Sequence, residues 1–374
     1  MSRLGTMGAR LYRGEVGYDF VAKRKIWYGI SILITITAIV GLAVRGLNLG
    51  IEFQGGAVFT TSKDTHISVV DAQRTAQEVS GHPATVQKLG GGGLRIQVAG
   101  ISTGTADKLH DRFAKDLHVS PNQVAADVVG PSWGQSIANK AWQGLAIFMI
   151  LVVIYLAIAF EWRMAVAALV ALIHDLTITV GVYALVGFEV TQGTVIGLLT
   201  ILGYSLYDTV VVFDGLKEAS KDLKKQTRFT YSEIANRSLN GTLVRSINTT
   251  VVALLPVAGL LFIGGGFLGA GMLNDISLAL FVGLAAGAYS SIFIATPLVA
   301  DLKEREPAMK ALRKRVLAKR ASAAARGESA TETADADDEP RDADPEGTAV
   351  AGSVAGPRPP APRGGRGRTQ GKRR

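Results

Sequence analysis

A polytopic α-helical membrane protein, with one small α+β domain outside the bilayer, is the fold class this sequence predicts. Composition is the first reason: the 374 residues are 48% hydrophobic and only 19% charged, against about a quarter charged in a typical soluble domain. The second is that the missing charge is concentrated in six apolar runs, each long enough to cross a hydrocarbon core of roughly 30 Å. The third is that lysine and arginine mark every other connection between those runs, the signature of fixed orientation.

The runs are Ile26–Val44, Ala141–Phe160, Met164–Val186, Thr194–Phe213, Leu243–Ile263 and Ile276–Val299. The first follows Lys23, Arg24 and Lys25, as a signal peptide would. It is nonetheless about 19 residues long with no A-x-A-type site after it, so a retained anchor is expected. Six basic residues lie in 1–25 and six in 214–242, while Gly187–Gly193 and Gly264–Asp275 contain none. Both termini and the 214–242 loop are therefore expected in the cytoplasm, and residues 46–139 outside.

Residues 46–139 read as a ferredoxin-like β-α-β-β-α-β unit. Strands are expected at Ala57–Thr61, Ala84–Lys88, Leu94–Val98 and Gln123–Val129, with helices at Ser68–Ser80 and Thr105–Leu117. Ser68, with Asp71 three residues on, supplies the first helix with a cap. After Val299 the character changes. Residues 303–326 carry nine Lys/Arg, suited to a basic helix beside the membrane, and 328–346 carry nine acids. The Gly/Pro/Ala/Arg-rich remainder cannot bury enough apolar surface to fold, so 300–374 is expected to be a largely disordered cytoplasmic tail.

Several chemistries are excluded at once. Zero cysteines leave no disulfide, thiolate metal site or cysteine nucleophile. Gly90–Gly93 is followed by Leu94, not by the Gly-Lys-Ser/Thr of a phosphate loop. His66, His82, His110 and His118 lack metal-ligand spacing and read as surface residues. No cofactor and no metal are expected. The basic residues of 303–326 lie beside the membrane, where anionic lipid is a candidate partner; the terminal Arg-Gly-Gly-Arg-Gly-Arg could touch RNA, but no specific nucleic-acid binding is expected.

Ionisable side chains inside a span are expensive and mark function by default. Asp208 in the fourth run and Arg245 in the fifth stand at similar depth, because the two runs are antiparallel. An ionised buried carboxylate needs a counter-charge and a protonated one does not. An Asp208–Arg245 pair would thus respond to a single proton. Ser205 and Thr209 flank Asp208, and Thr249 follows Arg245, as supporting polar groups. A static pair that only fixes helix packing is the plainer alternative. His174 and Asp175 lie mid-span in the third run; adjacent helical residues point about 100° apart, so both are not expected at one site. Asp175 is kept as a further proton-path residue and His174 as a supporting one. Ala279, Gly283, Gly287 and Ser291 form a small-residue stripe for close helix packing, and Pro256 is expected to kink the fifth run.

These residues also carry a resemblance. Gly203-Tyr-Ser-Leu-Tyr-Asp-Thr-Val-Val-Val-Phe-Asp214 closely resembles the fourth-span signature on the SecF side of the SecD/SecF family of protein translocase subunits. Leu49-Gly-Ile-Glu-Phe-Gln-Gly-Gly56, His174-Asp175 and Gly287-Ala-Tyr-Ser-Ser291 resemble it too, in order, across roughly residues 18–305. Two positions depart from the family pattern: Glu52 stands where aspartate is usual, and Gly215 where arginine is usual. The resemblance implies a non-enzymatic, proton-coupled subunit of the bacterial plasma membrane. Its obligate partner would be SecD, completing a resistance-nodulation-division-type bundle. Together they would join the SecYEG channel and use the proton-motive force on preprotein after the ATP-driven SecA step. It also places Asp208 and Arg245 on the proton path. A small-molecule exporter and a non-transporting scaffold are the competing readings; one small outer domain and six runs fit a subunit better than a single-chain exporter.

Overall fold

The computed structural model describes residues 17–61, 68–89, 92–116, 121–265 and 271–326. His66, His118, Gly90, Gly91, the first 16 residues and the tail beyond 326 lie outside the described residues. The chain comprises two units, Met1–Ala321 and Ser322–Arg374, and the second is described only where a helix, Pro307–Ala325, ends.

Among the described residues, six helices are long and apolar enough to cross a membrane. The first span is Arg24–Arg45, the second Pro131–Ala159 and the third Trp162–Val186. The fourth is Gln192–Ala219 and the fifth Tyr231–Gly259. The sixth is Gly271–Ser290, passing through a π-helical turn, Ser291–Ala295, into Thr296–Glu304. The second and fifth begin about ten residues before their apolar runs, because a helix continues wherever its backbone bonds can close, regardless of side-chain polarity.

Local chemistry sets the ends. Gly187, in the left-handed conformation at φ 83°, closes the third span, as glycine does best. Thr191 opens the fourth in a capping box with Thr194, and Thr230 opens the fifth with Glu233. Pro256 lies inside the fifth span, and a π-helical turn, Leu260–Gly265, follows it.

The outer domain has the expected order. After a short β1 (Asn48–Leu49) and a one-turn helix Ile51–Gln54 come β2 (Gly56–Thr61), helix Val69–Ser80, β3 (Ala84–Lys88), β4 (Leu94–Ala99), helix Thr103–Asp116 and β5 (Val124–Val129). The antiparallel sheet runs β3-β4-β2-β5, the ferredoxin-like arrangement. Phe59, Ile96 and Val98 on the sheet pack against Ala72, Ala76, Leu109 and Phe113 from the two helices. Ser68 caps its helix, accepting from Asp71 N at 3.1 Å and donating to the Asp71 carboxylate at 2.7 Å. His82 is exposed and His110 half-buried. The Gly55-Gly56 pair has no substitute. Gly56, at φ 138°, runs so close to β4 that a Cβ would stand 2.2 Å from Val98 O, and one on Gly55 would stand 2.6 Å from Pro131 Cα.

Two devices hold this domain to the bundle. β1 pairs in parallel with β6 (Glu189–Val190), between the third and fourth spans, and Arg95 of β4 meets Glu189 at 3.5 Å. At the other end of the bundle, helix Pro307–Ala325 buries Met309, Leu312 and Val316 in the main core. The Arg320–Glu233 ion pair joins it to the fifth span, while Arg163–Glu306 and Lys303–Glu161 join the turn before it and the end of the sixth span to the start of the third.

Candidate functional site

The site is built on the close approach of the fourth and sixth spans. A Cβ on Gly283 would stand 2.2 Å from Ile201, one on Gly197 2.7 Å from Ala279, and one on Gly287 3.1 Å from Ser205. The residues involved on the fourth span, Gly197, Ile201 and Ser205, recur every four positions, one face of a helix. The small-residue stripe of the sixth span therefore packs against the fourth, as expected of Gly283 and Gly287.

Asp208 continues that face and is 6% exposed. Its carboxylate accepts from Ser246 of the fifth span at 2.9 Å and from Ser291 of the sixth at 2.5 Å. Asp175 of the third span is fully buried. It accepts from Ser205 at 2.5 Å and from Ser290 at 2.7 Å, and its other oxygen lies 3.3 Å from His174 Nδ1. Two carboxylates in the bundle interior are thus each held by a pair of serine hydroxyls. Neither has a lysine or arginine within ion-pair range among the described residues.

This differs from the expected constellation in four ways. Arg245 is exposed on this chain, and no ion pair joins it to Asp208 among the described residues. Depth was matched but direction was not: the next residue, about 100° around the helix, is Ser246, and it takes the inward position. Ser205 supports Asp175 rather than Asp208. Ser291 does more than pack, since it donates to Asp208. His174 and Asp175 do meet, because the third span is buried among neighbours and the imidazole reaches sideways to its own helix neighbour. His174 is 8% exposed, stacks on Tyr289, and its Nε2 is buried without a hydrogen-bond partner among the described residues. Thr209 is buried, while Thr249 donates to the Arg245 and Ser246 carbonyls. Ser246 and Ser290 were not anticipated; each stands beside a singled-out residue, Arg245 and Ser291.

A second cluster lies where the outer domain meets the spans. Glu52, Glu189 and Asp275 converge near Arg95, and Thr191 donates to Asp275 at 2.8 Å. Burial pushes the Glu189 carboxyl above its ordinary range; Arg95 opposes the shift, and Glu52 and Asp275 reinforce it. Among the described residues no group of acids or histidines is arranged to hold a metal ion.

Six apolar helices around buried, hydroxyl-bound carboxylates define a multi-pass membrane protein with ionisable groups in its interior. Comparison with known proteins narrows this. Residues 110–305 match the family described as protein export membrane protein SecD/SecF, C-terminal, and residues 40–62 match the SecD/SecF GG motif. The protein translocase subunit SecF of Streptomyces coelicolor is 74% identical over the full length of both chains. That of Mycobacterium tuberculosis is 36% identical, covering 94% of this chain and 82% of its own. The crystal structure of SecDF from Thermus thermophilus, called a translocon-associated membrane protein, superposes with a TM-score of 0.69 at 31% identity. It covers 78% of this chain, and this chain spans 39% of it. The chain belongs to the SecF family of protein translocase subunits.

Proposed function

We propose that the chain works with SecD to complete protein export, drawing on the proton-motive force through SecYEG after the ATP-driven SecA step. The observation that carries this is the pair of buried carboxylates, Asp175 and Asp208, bound only by neutral donors and an imidazole. Neither carboxylate is tied to a lysine or arginine among the described residues, so taking up a proton breaks no ion pair. Serine suits both forms, donating to a carboxylate and accepting from a carboxylic acid.

SecD as partner has two supports. Relatives from Thermus thermophilus and Bacillus subtilis are single SecDF chains in which this sequence aligns with about two fifths of the length. In addition, the fifth span exposes a stripe of Arg245, Asn248, Val252 and Leu255, each spaced to share one helical face. An arginine at membrane depth faces a partner or a water-filled cavity rather than lipid. In this reading Arg245 lies on the proton path from the SecD side, with Asp208 behind it. Both termini on the cytoplasmic side of the bacterial plasma membrane is the orientation that the basic residues in 1–25, 214–242 and 303–326 support, with anionic lipid attracting the last of them. At about 2.3 kcal/mol per charge per 100 mV, one or two protons per cycle supply modest work, enough to oppose backsliding while ATP hydrolysis drives the bulk of transport.

Asp208→Asn tests this in inverted membrane vesicles. The variant is expected to assemble with SecD and support ATP-driven insertion, but to lose the acceleration of late translocation by an imposed proton gradient. Full acceleration in an assembled variant would overturn the proposal.

A further inference from the structure

The two carboxylates are touched by consecutive residues of one helix. Ser290 donates to Asp175 and Ser291 to Asp208, and both serines are wholly buried. Consecutive helical residues diverge by about 100°, so one point on the sixth span reaches the third span and the fourth together.

Each hydroxyl has a single proton to give but two acceptors in reach. Besides its carboxylate, Ser290 faces Gly287 O at 3.2 Å, and Ser291 faces Ala288 O at 3.3 Å. While an aspartate is ionised, its serine donates to it. Once the aspartate is protonated, the acid O–H becomes the donor, the serine oxygen accepts, and the serine proton turns to the carbonyl three residues back. No covalent bond changes apart from the proton taken up; one hydrogen bond reverses direction and one back-bond to the helix is strengthened. Such serine back-bonds bend helices.

The place where this happens is already irregular. The α-helix ends at Ser290 and a π-helical turn occupies Ser291–Ala295. The Ser291 carbonyl accepts from the Thr296 hydroxyl, five residues on, at 3.3 Å. Single π turns inside helices are often functional. We infer that Ser290 and Ser291 are positioning residues that couple the protonation of Asp175 and Asp208 to each other and to the π-helical turn of the sixth span. This rests on the reading that the two carboxylates exchange protons. The other titratable groups facing them are His174, beside Asp175 and stacked on Tyr289, and Tyr204, beside Asp208; Arg245 is exposed.

The test is infrared titration of the carboxylic-acid bands in the reconstituted complex of the full chain with SecD, the two bands being assigned by Asp175→Asn and Asp208→Asn. Ser291→Ala removes a donor from ionised Asp208 and should raise its midpoint by about 1–2 pH units, moving the Asp175 midpoint as well. Ser290→Ala should do the same from the other side. Ser246→Ala, which also removes a donor from Asp208 but leaves the sixth span intact, should move Asp208 and carry Asp175 with it, whereas in Ser246→Ala combined with Ser290→Ala the Asp175 midpoint should no longer follow. The inference is overturned if each sixth-span variant moves only its own partner. If one of the two fails to assemble, the other decides. Absence of any titrating band in the unaltered complex, in contrast, would refute proton exchange itself, so the two failures are distinguishable.

Discussion

Replacing Gly283 by alanine should separate the fourth and sixth spans. A Cβ there would stand 2.2 Å from Ile201 Cδ1 and 2.6 Å from both Cγ1 and Cγ2, and Ile201 is only 2% exposed. A β-branched side chain is stiff at χ1, so the strain passes to the backbones. Overpacking of this kind typically destabilises by about 1–3 kcal/mol. The term survives in a membrane because it is one of packing rather than of transfer from water. Ile201→Ala removes all three clashing atoms but opens a cavity, at about 2–5 kcal/mol. In the double variant the added methyl occupies space that Ile201 has vacated. The two changes should therefore fall short of additivity by roughly 0.5–3 kcal/mol. Thermal unfolding of the four proteins in detergent micelles measures this coupling. Unchanged unfolding of Gly283→Ala, or strict additivity in the double variant, would refute the packing argument.

Other consequences are simpler to state. The raised Glu189 carboxyl favours the protonated form in the folded chain, so its contribution is greatest at low pH and is lost as pH rises through the raised value. Glu189→Gln should flatten the decline in melting temperature as pH rises above the ordinary carboxylate range, and an unchanged slope would show that the buried charge has no such effect. Truncation after Lys319 removes an exposed Arg320–Glu233 pair worth at most about 1 kcal/mol and should leave SecD co-purification intact. Truncation before Pro307, which uncovers the pocket filled by Met309, Leu312 and Val316, should lower membrane abundance; equal failure of both truncations would assign an essential role to residues 320–374. Arg245→Gln should leave the melting temperature of the isolated chain unchanged, while reducing both SecD co-purification and export. A stability loss without SecD would mean that Arg245 has a partner within this chain.

Much of the fold could be read from residue patterns because its signals are local. Apolar runs, Lys/Arg placement, the Ser68–Asp71 cap and the alternating strands each lie within a short window, and the outer-domain elements appear within two residues of expectation. The candidate site was legible only as far as its charges. Asp208 and Asp175 stand out because ionisable groups are rare inside spans, whereas Ser246 and Ser290 do not, since serine is common in membrane helices. Depth along a helix follows from residue count. Direction around it depends on which neighbour presses against it, and packing of the fifth span turns Ser246 inward and leaves Arg245 outside. The same limit affected Ser205, whose closeness in sequence to Asp208 suggested a partner, while packing assigned it to Asp175.

Proton uptake by Asp208 is tested most directly in proteoliposomes containing the full chain with SecD and a trapped pH-sensitive dye. An imposed pH gradient should drive proton entry in the unaltered complex, and Asp208→Asn, equally assembled, should abolish it. Proton flux undiminished by Asp208→Asn would contradict a role for this carboxylate in carrying the proton.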